Sequence, residues 1–322
     1  MGNIQSGTKV NFMLFEKIIK NQSDKESIRI YNEENEKPLR GEVLLIKIKN
    51  NKIVNTPRVS IHWKQRSIAW KVMIEDTLKN FSVSDCSIKI NLDDKPRKGH
   101  FNFCRPKNNN KGVFLIPNFR FTNDNLMNNY QVKLDNNCEG VKWEDTKSYI
   151  FKNDTLPFED KKNKFFFAGN NAGDKRKKYF NYMLNNLNIC DGYLWNNENL
   201  KLISLNKCGK EYLPYSKHFE YKYPILIDPQ DAGTDRMRLL LSMNSVPIVC
   251  TEQFEEFYSY LLSDNENYIS CTNIEQLKDV INNRNIISDK RIIQNNKEFV
   301  KNILTYKNIL EYIANLLNAL NK

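Results

Sequence analysis

Two arginines stand where the sequence predicts a helix to begin, in Gly233-Thr234-Asp235-Arg236-Met237-Arg238. A helix N-terminus already carries partial positive charge, so cations there deepen the local potential instead of cancelling it. Such an arrangement suits an anion, and the planar guanidinium of Arg236 suits a bidentate oxyanion. Phe167-Ala168-Gly169-Asn170-Asn171-Ala172-Gly173-Asp174-Lys175-Arg176 has a related form: a strand end, a turn of small residues, then a helix with Arg176 in its first turn. Backbone N–H groups in such a turn can approach a phosphate closely. The segment is neither a G-x-x-x-x-G-K-[ST] loop nor a G-x-G-x-x-G fingerprint. Taken singly, each segment is also explained as an ordinary turn, with the arginines paired to Asp228, Asp231 or Asp235. Two of them in one parallel-sheet domain favour a diphosphate. A third segment, Ile90-Asn91-Leu92-Asp93-Asp94-Lys95-Pro96, sets two carboxylates just beyond a strand. One of them could act as a general base, or both could cap a turn before proline.

The elements that must position these residues are legible in outline. Gly41–Val54 alternates around Lys49-Asn50-Asn51-Lys52 and predicts a β-hairpin. A helix follows over Ser67–Phe81, then strands in Cys86–Leu92, His100–Cys104 and Gly112–Phe119, then a long polar connection containing Trp143. From there strand and helix alternate: strand Lys164–Gly169, helix Lys175–Asn188, strand Tyr223–Asp228, helix Asp235–Met243, strand Val246–Cys250 and helix Glu252–Leu262. Strand Tyr268–Cys271, helix Ile274–Asn282 and a helical tail from Ser288 complete the chain. That alternation predicts a parallel sheet with right-handed crossovers. A division near residue 160 follows, giving an acceptor-side domain over 1–160 and a nucleotide-side domain over 161–322. In an open sheet of this kind the two arginine-bearing loops lie at the carboxyl ends of the strands, where ligands bind.

Composition narrows the choice of partner. The chain has 322 residues, 40% hydrophobic, with a formal net charge of +11. That charge is compatible with phosphate ligands, nucleic acid or an anionic membrane. The aromatic residues fall at core positions of the predicted elements, as in Lys164–Gly169, and no basic-aromatic module is recognisable, so no nucleic acid is expected. Seven cysteines at wide spacing, with no C-x-x-C, read as reduced thiols of a cytoplasmic protein. Three scattered histidines and the lack of a D-x-D sequence predict no metal. Met1-Gly2-Asn3-Ile4-Gln5-Ser6 matches the M-G-x-x-x-[ST] myristoylation pattern. A single such chain gives only marginal membrane binding, about 10⁴ M⁻¹, which Lys9, Lys17, Lys20 and Lys25 could reinforce in a peripheral contact.

In order and spacing, six segments resemble glycosyltransferase family 90, the capsule-associated and protein O-glucosyltransferase group. They are INLDDKP, FLIPNFRF, FFFAGNNAGDKR, HFEYKYPILID, DRMRLLLSMNS and the run from EEFYSYLL to NYISC. The resemblance covers roughly Trp70 to Leu304. It implies a GT-B fold, two Rossmann-like domains facing a cleft, here with a C-terminal helical tail. It also implies inverting, metal-independent transfer of a sugar, glucose or xylose, from a UDP-sugar to a hydroxyl of a glycan or glycoprotein acceptor, with no cofactor. By position, Asp94 falls on the family's catalytic aspartate, and Arg176 and Arg236 on its diphosphate-binding arginines. Gly169 and Asn170 match the phosphate-side turn, Thr234 belongs to the same arginine-bearing segment, and Glu256 matches a helix-borne glutamate placed to hold the ribose. Ala168 stands where an arginine is common. The secretory signal and disulfide-forming cysteines of animal members are not found. The alternative is a non-catalytic or membrane-anchored protein that binds a sugar nucleotide or nucleic acid.

Overall fold

The computed structural model describes residues 23–35, 42–55, 63–108, 111–123, 132–134, 139–140, 142–170, 174–195, 202–204, 208–209, 213–228, 236–250 and 254–320, with residues 16, 19 and 20 before them. The Met1–Ser6 pattern and Thr234 lie outside the described residues. Helix α1 is Lys25–Asn35.

The Lys49–Lys52 step turns as its sequence predicts. β1 (Val43–Lys49) and β2 (Lys52–Asn55) pair antiparallel, and Asn50 and Asn51 both take positive φ, 51° and 58°. That is the backbone of a two-residue hairpin turn, which asparagine tolerates. The Asn51 side chain then ties the hairpin to α2 (Lys64–Asn80), donating to the Leu78 carbonyl at 2.6 Å and accepting from the Val83 N–H at 2.9 Å. Ala69, Trp70, Met73, Ile74, Thr77 and Leu78 form the buried face of α2, at helical spacing.

β3 (Cys86–Asn91), β4 (His100–Asn102) and β6 (Val113–Leu115) complete a five-stranded sheet in the order β2-β1-β3-β4-β6. β1 runs antiparallel to β2 and β3, while β3, β4 and β6 are parallel. The short β5 (Arg105–Pro106) leaves this sheet. β7 (Val132–Lys133) and β8 (Glu139–Gly140) make a separate pair.

The connection expected around Trp143 is in part a helix, α3 (Trp143–Asn153). Its buried face is Trp143, Thr146, Lys147 and Ile150, and only two of those four are apolar, which hides the helical period. Tertiary contact supplies the rest: the Trp143 indole N–H donates to the Leu304 carbonyl at 2.6 Å.

The second sheet has seven strands in the order β12-β11-β10-β9-β13-β14-β16. They are β9 (Lys162–Asn170), β10 (Cys190–Trp195), β11 (Leu202–Ser204), β12 (Cys208–Gly209), β13 (Tyr221–Leu226), β14 (Ile248–Val249) and β16 (Ile269–Ser270). The run from β10 to β16 is parallel, and β11 and β12 add an antiparallel edge. The chain therefore folds as the mixed α/β protein its alternation predicts. β9 sits between β10 and β13, so the strand order reverses beside it. α4 (Asp174–Leu184), α5 (Met237–Leu240), α6 (Leu277–Asn282) and α7 (Ile286–Asn302) accompany this sheet.

Three helical expectations are corrected. The helix expected over Asp235–Met243 is only the four-residue α5, with Arg236 as its N-cap residue. The helix expected over Glu252–Leu262 is instead β15 (Phe254–Glu255) followed by a 3₁₀ turn, Ser259–Leu261. Pairing with β5 overrides the local helical period there. Antiparallel β5–β15 joins the two halves, and the Arg105 Nε donates to Glu255 Oε1 at 2.6 Å, with the side chains 4% and 8% exposed. The tail from Ser288 is two helices, because Thr305 caps a new one, α8 (Tyr306–Ala319). By packing, α8 belongs with the first sheet: the Tyr312 hydroxyl donates to Leu115 O at 2.8 Å, and that of Tyr306 to Asp76 Oδ2 at 2.9 Å.

Candidate active site between the two sheets

Asp94 stands on the turn after β3, and that turn is closed by two asparagines. The Asn91 amide donates to the Lys95 carbonyl at 2.7 Å and to Asn102 Oδ1 at 2.9 Å. Asn102 donates to the carbonyls of Arg97 at 2.9 Å and His100 at 2.6 Å, and its oxygen accepts from the Arg97 N–H at 2.9 Å. Within this frame the two aspartates have different partners. Asp93 turns inward, accepting the Asp94 N–H at 2.7 Å and facing Arg97 at 3.6 Å. Asp94 points outward, 54% exposed, with Oδ1 2.7 Å from Arg66 Nη1. Arg66 belongs to no motif of the sequence; only its place on α2 brings it to the turn.

The arginine-bearing segments converge at the carboxyl ends of β9 and β13. Arg176, on the first turn of α4, is 4% exposed. Its Nε and Nη2 donate to the Ile227 carbonyl at 3.1 and 3.0 Å. Arg236 is half-buried, and its Nη1 donates to the Ala168 carbonyl. Both guanidinium carbons lie 5.8 Å from the centre of the Phe167 ring. Gly169 fits beneath them: a Cβ there would come within 2.7 Å of Phe167 Cζ and 3.2 Å of Arg236 Nη1. Asn170 ends β9, paired in register with Trp195.

His218 is buried close to Arg236. Burial first, and the Arg236 charge second, push its pKa down to about 3. Its Nδ1 lies 3.0 Å from the Tyr215 carbonyl. A carbonyl only accepts, so Nδ1 carries the proton of a neutral ring. Arg238 does not share the role of Arg236. It is 1% exposed, with its guanidinium 5.4 Å from Phe121 and 4.9 Å from Trp143, and it serves as a core cation.

A cavity of about 240 Å³ opens between the halves. Leu226, Asp228 and Val249 line it from the strand ends of the second sheet, and Cys104 and Lys107 from the first half. Glu256 also lines it, and among the described residues it is the one sequence-predicted site residue that does. Glu256 is carried on a loop, not on a helix as expected. It is 5% exposed, its Oε1 accepts from the Tyr258 hydroxyl at 2.9 Å, and its N–H donates to Ser259 Oγ at 2.8 Å. The Cys104 thiol donates to the Asp94 carbonyl at 3.8 Å, which joins the cavity wall to the aspartate turn. Among the described residues no group of three or more His, Cys, Asp or Glu side chains could hold a metal ion.

This arrangement combines an outward carboxylate, two arginines at strand ends and a cavity between the halves. The model of glycosyl transferase family 90 matches residues 14–322, and the chain belongs to that family. It is accordingly a glycosyltransferase, acting on a sugar donor and an acceptor. No curated protein matches it.

Proposed function

We propose that the protein moves a sugar, glucose or xylose, from a UDP-sugar to a hydroxyl of a glycan or protein acceptor, with inversion and without a metal, on a GT-B frame of two Rossmann-like halves. The observation that carries this reading is the convergence of Gly169, Arg176 and Arg236 at the ends of β9 and β13. Strand order reverses there, and open α/β sheets bind nucleotides at such a crevice. The sequence lacks the D-x-D carboxylates that would hold a metal-bound diphosphate, and two guanidinium groups can take over that charge.

The chemistry follows from the placement. Asp94 takes the proton of the acceptor hydroxyl, whose oxygen attacks the anomeric carbon from the face opposite UDP. Arg236, with one donor on Ala168, approaches the β-phosphate and stabilises the charge that grows on it. Arg176 acts through the fixed positive field and by holding the end of β13 at Ile227. Gly169 and Asn170, with Thr234, border the phosphates, while Glu256 in the cavity wall accepts from the ribose. Inversion follows from a single displacement by the oxygen that Asp94 activates. A cytoplasmic protein with a myristoylated Gly2 making peripheral membrane contact completes the proposal, and intact mass after co-expression with an N-myristoyltransferase tests that part.

Calorimetric titration of UDP in excess EDTA tests the donor reading. Binding that survives chelation is expected, and binding abolished by EDTA overturns metal independence. Transfer assays across nucleotide sugars then identify the sugar, and no transfer to any acceptor or to water would favour a binding protein.

A further inference from the structure

We infer that Arg66 is a positioning residue for the reaction, holding Asp94 in the orientation that accepts the acceptor proton; this rests on the reading of Asp94 as the base. One nitrogen carries the arrangement. Arg66 Nη1 donates both to the Leu92 carbonyl, at 2.7 Å, and to Asp94 Oδ1, at 2.7 Å. The carboxylate is thereby fixed to the backbone of the strand end from which its own turn departs. The guanidinium has little freedom, since its carbon lies 4.8 Å from the ring centres of both Trp63 and Phe119. The Arg66 side chain is 11% exposed, against 54% for that of Asp94.

An ion pair with one exposed partner adds little to stability. Two aromatic rings and a carbonyl anchor are more than such a pair requires. They are what holding one oxygen of a reactive carboxylate requires. Oδ1 is engaged, and Oδ2 accepts no hydrogen bond among the described residues. The oxygen that turns outward is the one placed to take a proton. Orientation matters at this scale, because a misplacement of about 1 Å can cost about 10²-fold in rate. Lysine at this position keeps the charge but cannot present a planar group between two rings.

The test is a double-mutant cycle in the full chain, with kcat and KM for the UDP-sugar and a thermal midpoint for each protein. Arg66→Lys is expected to lower kcat by about 10–10²-fold while leaving KM for the donor unchanged. In an Asp94→Asn background the same substitution should remove nothing further. Free guanidinium should restore part of the kcat of Arg66→Ala, an effect that a merely structural loss would not show. If Arg66→Ala does not fold, Arg66→Lys and the cycle decide alone. Losses that add in the double variant, or an unchanged kcat in Arg66→Lys, overturn the positioning role while leaving Asp94 as the base. Full activity in Asp94→Asn overturns the base assignment first and the positioning role with it.

Discussion

The two halves of the molecule present charge in opposite ways. On the first side the proposed base is exposed, and its turn is closed by Asn91 and Asn102, eleven residues apart. On the second side Arg176 is buried, and the two arginines bind backbone carbonyls 51 and 68 residues away. A base must meet an acceptor and exchange a proton, so it stays accessible. A positive field for a diphosphate acts best when fixed in advance and shielded from water. It follows that changes to Asp94 should affect chemistry alone, while changes to the arginine crevice should affect binding and folding together.

Asp94→Asn makes the sharpest test of that contrast and carries the largest expected effect. Turnover should fall about 10²–10⁴-fold, the range for a positioned general base. UDP affinity and the thermal midpoint should hold. Transfer rates and UDP titrations on the variant check this, and a fully active variant would move attention to Asp93. On the other side, Arg236→Ala should weaken UDP binding by about 1.5–3 kcal/mol, the worth of a hydrogen bond to a charged group. It should also slow transfer, because leaving-group charge grows along the reaction. Equal UDP affinity in calorimetry would remove Arg236 from the diphosphate site.

Gly169→Ala probes the crevice without removing a charge. The new methyl would meet Phe167 at 2.7 Å and Arg236 at 3.2 Å, and overpacking of this kind costs about 1–3 kcal/mol. A lower denaturant midpoint with weaker UDP binding is expected, and an unchanged midpoint would show that the crevice yields.

At neutral pH the smallest effect is that of His218, which shows only as a pH dependence in acid. Burial beside Arg236 holds the pKa of His218 at about 3, against about 6.5 in an unfolded chain. Between those values the unfolded state binds the extra proton, so stability falls as pH is lowered. The slope is about 1.4 kcal/mol per pH unit below roughly 6.5, until the folded ring itself protonates. Unfolding midpoints from pH 7 to 4 should be flatter in His218→Gln than in the wild type. Parallel curves would show that other groups carry the acid sensitivity.

What the sequence determined by itself was local. The Asn50-Asn51 turn, helix α2, the strands of the first sheet, β9, β13, β14 and β16 of the second, and the Asp93-Asp94 turn each depend on residues a few positions apart, so period and turn chemistry expose them; the edge strands β11 and β12 were not legible in this way. The tertiary structure decided what depends on distant partners. The Glu252–Leu262 stretch has a helical period, yet β5 claims Phe254–Glu255 as a strand and leaves Glu256 on a loop. Arg236 and Arg238 look equivalent two positions apart, but Arg238 is enclosed by Phe121 and Trp143 while Arg236 reaches Ala168. Arg66 is one of 49 basic residues until α2 places it between two rings beside Asp94. Charge type is written in the chain, but whether a charge is buried, paired or aimed at a ligand depends on which distant surfaces fold against it.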